Sequence, residues 1–106
     1  MDHEKHFPLA PRDLLILSVL AEDPLHGYGI IKAVEQRSHS GVLLDPANLY
    51  RVLRRMRRIG WIREAGSASQ DRRKAHRITS TGRTILAAEL ARLERLLRYA
   101  RPAVAG

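Results

Sequence analysis

The sequence predicts a mainly α fold carrying one small β-hairpin, an α+β arrangement, and three observations support this. Four stretches, about 11–22, 26–38, 46–59 and 80–102, place apolar side chains at helical spacing. Two short runs, Trp61 to Ala65 and Ala75 to Thr79, read as antiparallel strands around a polar, Gly/Ser-bearing loop. Breakers fall between these stretches at Asp23-Pro24, Asp45-Pro46 and Gly60, and at Pro102 after the last. A chain of 106 residues makes one domain with a modest core, which oligomerisation would help. The expected organisation is a flexible tail over 1–10, a main domain over 11–79, a separate long helix over 80–102 and a tail over 103–106.

The first helix begins at Pro11, which is tolerated at a first helical position. Leu14, Leu15, Ile16, Leu17, Val19 and Leu20 cover most of its circumference, so it is buried on more than one side. In so small a domain the second side can belong to a partner subunit. Asp23-Pro24 breaks the helix and a second follows, about His26 to Ser38, with Ile30, Ile31 and Val34 facing inward. Gly27 and Gly29 weaken its first turn by roughly 1 kcal/mol each relative to Ala. Close packing against the first helix would account for them.

A turn over Ser38 to Gly41 and a possible short strand over Val42 to Leu44 lead to the third helix. Its start is well marked, with Asp45 as N-cap and Pro46 at the first position, and Gly60 ends it. Leu49, Val52, Leu53, Met56 and Ile59 fall on one face, and Arg51, Arg54, Arg55 and Arg58 on the other. No acid lies between Asp45 and Glu64 to partner those arginines within the helix. Like charges one turn apart repel by a few tenths of a kcal/mol per pair, so selection for stability alone would have mixed the signs.

That helix belongs to a wider concentration of charge. Residues 46–83 hold eleven Arg or Lys against two acids, Glu64 and Asp71, whereas the whole chain carries a formal net charge of +8. A near-neutral body with one strongly basic stretch is the footprint of a polyanion-binding protein. The end of the hairpin loop, Asp71-Arg72-Arg73-Lys74, is part of it. The last helix starts at Thr79 or Thr81 and is expected to stop at Pro102. Leu86, Leu90, Leu93 and Leu97 form a 4-3-4 seam on it, with Ile85 and Leu96 alongside. At ~30 Å it overhangs the preceding core, which points to a second subunit.

Three helices and then a basic hairpin describe a winged helix-turn-helix. Its third helix enters the major groove of DNA, and its wing reaches the adjacent backbone or minor groove. Leu25-His26-Gly27-Tyr28-Gly29-Ile30 is similar to the "HGYxI" opening of the second helix in PadR-like transcriptional regulators. Ala47-Asn48-Leu49-Tyr50-Arg51-Val52-Leu53-Arg54-Arg55-Met56 is similar to that family's "GTLYPxLxRL" recognition helix. Gly60-Trp61-Ile62 resembles "GLI", and Arg72 to Thr79 with Gly82 resembles "RRKYYxLTxxG". The chain departs from the pattern at Asn48, at Arg51 and at Ala75-His76, so an operator sequence does not carry over from relatives. The last helix has Tyr99 as its only aromatic, unlike relatives with a flat aromatic-ligand pocket, and its shortness resembles the compact branch of the family.

The resemblance implies a bacterial homodimer that represses by occupying an operator and pairs through its first and last helices. The expected DNA contacts are Ala47, Asn48, Tyr50, Arg51, Arg54, Arg55 and Arg58 on the recognition helix, with Arg72, Arg73 and Lys74 on the wing. Asn48 and Arg51 suit bidentate contacts to adenine and guanine. The expected dimer contacts are Leu14, Leu17, Leu20, Leu86, Leu90, Leu93 and Leu97. No cofactor is implied, and a small-molecule inducer is left unspecified. The expected setting is cytoplasmic, on the nucleoid.

Other classes have less support. The chain has no cysteine, which removes disulfides and thiol chemistry and fits a reducing compartment. His3, His6, His26, His39 and His76 make no metal-ligand spacing, and neither a nucleophile–base set nor a phosphate-binding glycine loop occurs. Leu14 to Ala21 is too short to span a bilayer and lacks signal-peptide features. RNA binding is disfavoured because a helix does not enter the narrow A-form major groove. The main alternative is a protein-interaction module whose basic face docks an acidic partner.

Overall fold

The computed structural model describes residues 5–65 and 74–105. Its elements are α1 (Pro11–Glu22), β1 (Leu25–His26), α2 (Gly27–Arg37), α3 (Pro46–Arg58), β2 (Ile62–Glu64), β3 (Ala75–Ile78) and α4 (Ser80–Ala105). The strands form an antiparallel sheet in the order β1-β3-β2, with Leu25 opposite His76 and Arg63 opposite Arg77. Strand β1 was not expected. Two residues have no readable periodicity, and their pairing partner lies far along the chain. Val42 to Leu44, a possible strand, is irregular.

Local chemistry sets the boundaries. The Asp45 carboxylate accepts the Asn48 amide at 2.9 Å, and Pro46 occupies the first turn of α3. Gly60 takes φ +86°, the left-handed conformation that closes a helix. Thr79 joins the sheet to α4: its hydroxyl donates to the Gly60 carbonyl at 2.6 Å and accepts from the Gly82 amide at 3.1 Å. A Cβ on Gly82 would lie 2.1 Å from the Trp61 carbonyl oxygen, so only glycine lets α4 start this close to the wing. Gly27 and Gly29 are not explained by the expected close packing on α1, and no close approach requires glycine at either position. A Cβ on Gly27 would meet Tyr50 and Leu49 of α3, one on Gly29 would meet Leu25, and both contacts are ordinary.

Helix α1 lies at the centre, against α2, β3 and α4. Ile16, Leu17 and Leu20 pack in one core with Ile30, Val34, Leu49, Leu53, Met56, Trp61, Ile62 and Ile85. The all-round apolar character of α1 is therefore satisfied largely inside its own chain. Leu17 and Leu20 are fully buried there and Leu86 nearly so, which corrects their assignment to a dimer interface. Ile59, expected on the inner face of α3, is more than one-third exposed because the helix ends at Arg58 and the chain turns away.

Two terminal expectations also change. Residues 5–10 dock instead of trailing. The Leu9 amide donates to the Glu89 carboxylate at 2.7 Å, Leu9 is buried, and the His6 ring stands edge-on to Trp61 at 5.1 Å. Glu89 is itself buried on α4, so it requires donors, and Arg92 supplies two more at 2.5 and 3.0 Å. Those Arg92 hydrogen bonds, ahead of the opposing effect of burial, hold the Glu89 carboxyl below its ordinary range. Helix α4 also continues through Pro102 to Ala105. The ring removes one N–H from an exposed last stretch, where water satisfies the carbonyl left over. Leu96 and Leu97 are about half exposed, and the chain extends to 57 Å along its longest axis.

Candidate nucleic-acid interface

The two faces of α3 differ as the apolar and basic spacings require. Leu49, Val52, Leu53 and Met56 are buried, while Ala47, Tyr50, Arg51, Arg54 and Arg58 are exposed. Burial of the first set fixes the rotation of the helix, and that rotation presents the arginines outward. Arg51, Arg54, Arg55 and Arg58 line a shallow depression of about 410 Å³. Among the described residues, one further guanidinium reaches the same depression from outside α3, that of Arg12 at the start of α1.

Arg12 was not among the expected site residues, and Arg55 is not a freely solvated arginine. The Asp13 carboxylate, buried on α1, accepts from Arg12 Nε at 3.1 Å and from Arg55 Nη2 through its other oxygen. No spacing rule links positions 13 and 55. A weak signal for Arg12 was available, because a cation in the first turn of a helix opposes the macrodipole.

Asn48 has a partner too. Its Nδ2 donates to Asp45 Oδ2 at 2.5 Å, so its side chain belongs to the cap of α3. The Asn48 amide hydrogen bond is the main reason the Asp45 carboxyl sits below its ordinary value. Tyr50 is 57% exposed, with its hydroxyl lying over Gly27.

The wing base makes a second cleft of about 450 Å³, where Tyr28, Tyr50, Arg57, Lys74 and His76 converge. Lys74 Nζ lies 3.7 Å from Glu64 Oε1. His76 is buried, its Nδ1 has no hydrogen-bond partner among the described residues, and burial followed by the positive Arg57 pushes its pKa down. Arg72 and Arg73 lie outside the described residues. Arg63, Arg77 and Arg83 line a separate hollow of about 500 Å³ on the outer side of the sheet. The described part of the basic segment thus divides into a recognition-helix depression, a wing-base cleft and an outer patch. Leu14 is half-buried, Leu90 is 43% exposed, Leu93 is half-buried and Leu97 is 50% exposed, leaving an uncovered apolar seam along α4.

Among the described residues no group of three His, Cys, Asp or Glu side chains comes together to hold a metal ion. No helix among them is long and apolar enough to cross a membrane.

Comparison with known proteins agrees with this geometry. Residues 16–88 match the transcriptional regulator PadR-like family. The fold is similar to that of a PadR-like transcriptional regulator from Bacillus cereus, with a TM-score of 0.76 at 20% identity, covering 89% of this chain and 91% of that one. It is also similar to Bacillus subtilis PadR, a structure solved in complex with operator DNA, with a TM-score of 0.67 at 20% identity over 78% of this chain and 47% of that one. An uncharacterized 37.1 kDa protein in a Streptomyces fradiae transposon is 36% identical over 83 residues, 78% of this chain. The chain spans 23% of the length of that relative.

Proposed function

This chain belongs to the PadR-like family of transcriptional regulators, and from that premise we propose that it represses transcription by binding an inverted-repeat operator as a homodimer. The observation that carries the reading is the outward arginine face of α3, held in place by the buried Leu49, Leu53 and Met56 on its other side. An α-helix fits the major groove, and its first turns reach base edges. Ala47, Asn48, Tyr50 and Arg51 occupy those turns. Arg54 and Arg58 lie farther along and suit phosphates, as do Lys74 and the wing arginines Arg72 and Arg73.

The dimer rests on α4. Leu90, Leu93 and Leu97 follow one another along a helix that its own core does not cover. A two-fold dimer doubles the base contacts of so small a domain and calls for half-sites about one helical turn apart. A cytoplasmic, nucleoid-bound setting follows from that role.

The test is binding to a duplex carrying the region upstream of the chain's own gene, in excess nonspecific competitor, read by fluorescence anisotropy and footprinting. A protected inverted repeat is the expected result. Equal binding to every duplex, or none, removes the operator reading, and capture of an acidic protein in its place favours the interaction module.

A further inference from the structure

We propose that Asp13 is a positioning residue that brings the start of α1 into the DNA face, setting Arg12 and Arg55 as a two-armed clamp for one backbone phosphate. The inference rests on the DNA-binding reading and deepens it.

The carboxylate is the unusual feature. Asp13 lies in the first turn of α1, where an acid complements the helix dipole while remaining in water. Here its side chain is only 7% exposed. Burial of a carboxylate is unfavourable unless it is paired, and well-packed apolar residues in place of a buried ion pair are often neutral or stabilising. Stability alone therefore gives weak grounds for an acid here. Its two oxygens accept from two different arginines on two different helices.

Those arginines are not used up by the contact. A guanidinium has five N–H donors, and the Asp13 contacts engage Arg12 through Nε and Arg55 through one terminal nitrogen. The Arg12 and Arg55 side chains remain 37% and 40% exposed. Both line the depression shared with Arg51, Arg54 and Arg58. Among the described residues, five guanidiniums face the Asp13 carboxylate and, beside Arg51, that of Asp45, which leaves a positive excess, and the remaining forked donors match phosphate oxygens. The depression is continuous with the recognition helix, so the phosphate belongs to the duplex that α3 engages. Arg12 then adds a backbone contact beyond the reach of α3 itself.

The experiment measures duplex affinity against salt concentration for the full chain and its variants. Failure of the unmodified chain to bind any duplex would sink the DNA-binding reading itself. Given binding, Arg12→Ala is expected to weaken association with operator and unrelated duplexes alike by about tenfold and to lower the salt slope by ~1. Arg37→Ala, at an exposed arginine paired with Glu22, is expected to leave the slope unchanged. An equal drop there would mean that slope reports overall charge, and the clamp would be abandoned. Asp13→Asn is expected to weaken binding. Tighter binding would show that Asp13 withholds Arg55 from DNA, which overturns the proposal. Should Asp13→Asn fail to fold, Arg55→Lys decides: it keeps the charge but lacks the fork needed to span carboxylate and phosphate. Loss equal to that of Arg55→Ala supports the clamp, and affinity like the unmodified chain refutes it. An unchanged slope for Arg12→Ala refutes it as well.

Discussion

Helices α1 and α4 both carry more apolar side chains than one helix face needs, and the fold treats them in opposite ways. Helix α1 sits between α2, β3 and α4, and Ile16, Leu17, Val19 and Leu20 all go into its own chain's core. Helix α4 buries Ile85, Leu86 and Glu89 in its first turns, then leaves Leu90, Leu96, Leu97 and Tyr99 largely uncovered. Apolar periodicity reports how many sides of a helix are covered. The length of the helix relative to its core reports whether its own chain can do the covering. Twelve residues of α1 fit within the core, whereas 26 residues of α4 do not.

The largest expected effect breaks this comparison on the α4 side. Leu90→Asp together with Leu93→Asp should abolish the proposed dimer and lower operator affinity by about 10²-fold or more through lost bivalency. Helical content should survive, because neither side chain belongs to the buried core. Analytical ultracentrifugation with circular dichroism checks both points, and a monomeric unmodified chain at micromolar concentration would refute the role given to α4.

On the α1 side, Leu17→Ala should cost about 3 kcal/mol by leaving a cavity. That loss should appear in the denaturant midpoint and, at concentrations where the variant stays folded, leave subunit association intact. A shift in association without loss of midpoint would place Leu17 at the interface after all.

Glu89 lies at the boundary between the two behaviours, and its carboxyl is held below the ordinary value of 4.5 mainly by Arg92. A depressed carboxyl contributes stability that is present above the unfolded value and lost as pH falls through the folded one. Glu89→Gln should therefore flatten the acid limb of the stability profile below about pH 4.5, while loosening residues 5–10 in hydrogen exchange. The smallest effect belongs to His76 on β3, the strand that packs against both α1 and α4. Its pKa lies below the ordinary 6.5 because burial opposes the charged form. The unfolded chain therefore binds the proton first, and stability declines as pH falls below about 6.5 until the folded value is reached. Urea titrations at pH 7.5 and 5.5 should show a smaller difference for His76→Gln than for the unmodified chain.

Most of the fold was legible because its signals are local. Pro11, Asp45-Pro46 and Gly60 act on their immediate neighbours, and the structure places helix boundaries where they predict. The arginine face of α3 was legible for the same reason, since one helix carries both it and the buried face that orients it. The features that escaped notice are through-space. Strand β1 exists only because His76 and Ala75 lie beside it. The docked segment before α1 depends on Glu89, and the contribution of Arg12 depends on Asp13 meeting Arg55. Leu17 and Leu20 were misassigned because periodicity shows that a side chain is covered without showing what covers it.

The hydrogen bond from the Leu9 amide to Glu89 has a consequence for assembly in time. It joins positions eighty residues apart, so it forms only after all of the intervening chain has been made. The pairing of β1 with β3 is also long-range. Closing such loops slows folding relative to a bundle of neighbouring helices. During synthesis α1, α2 and α3 can associate early, whereas the three-stranded sheet waits for β3 and the N-terminal clasp waits for α4. A ribosome-bound chain stalled before Glu89 has cleared the exit tunnel should accordingly show protected amides in α1 to α3 and an unprotected Leu9.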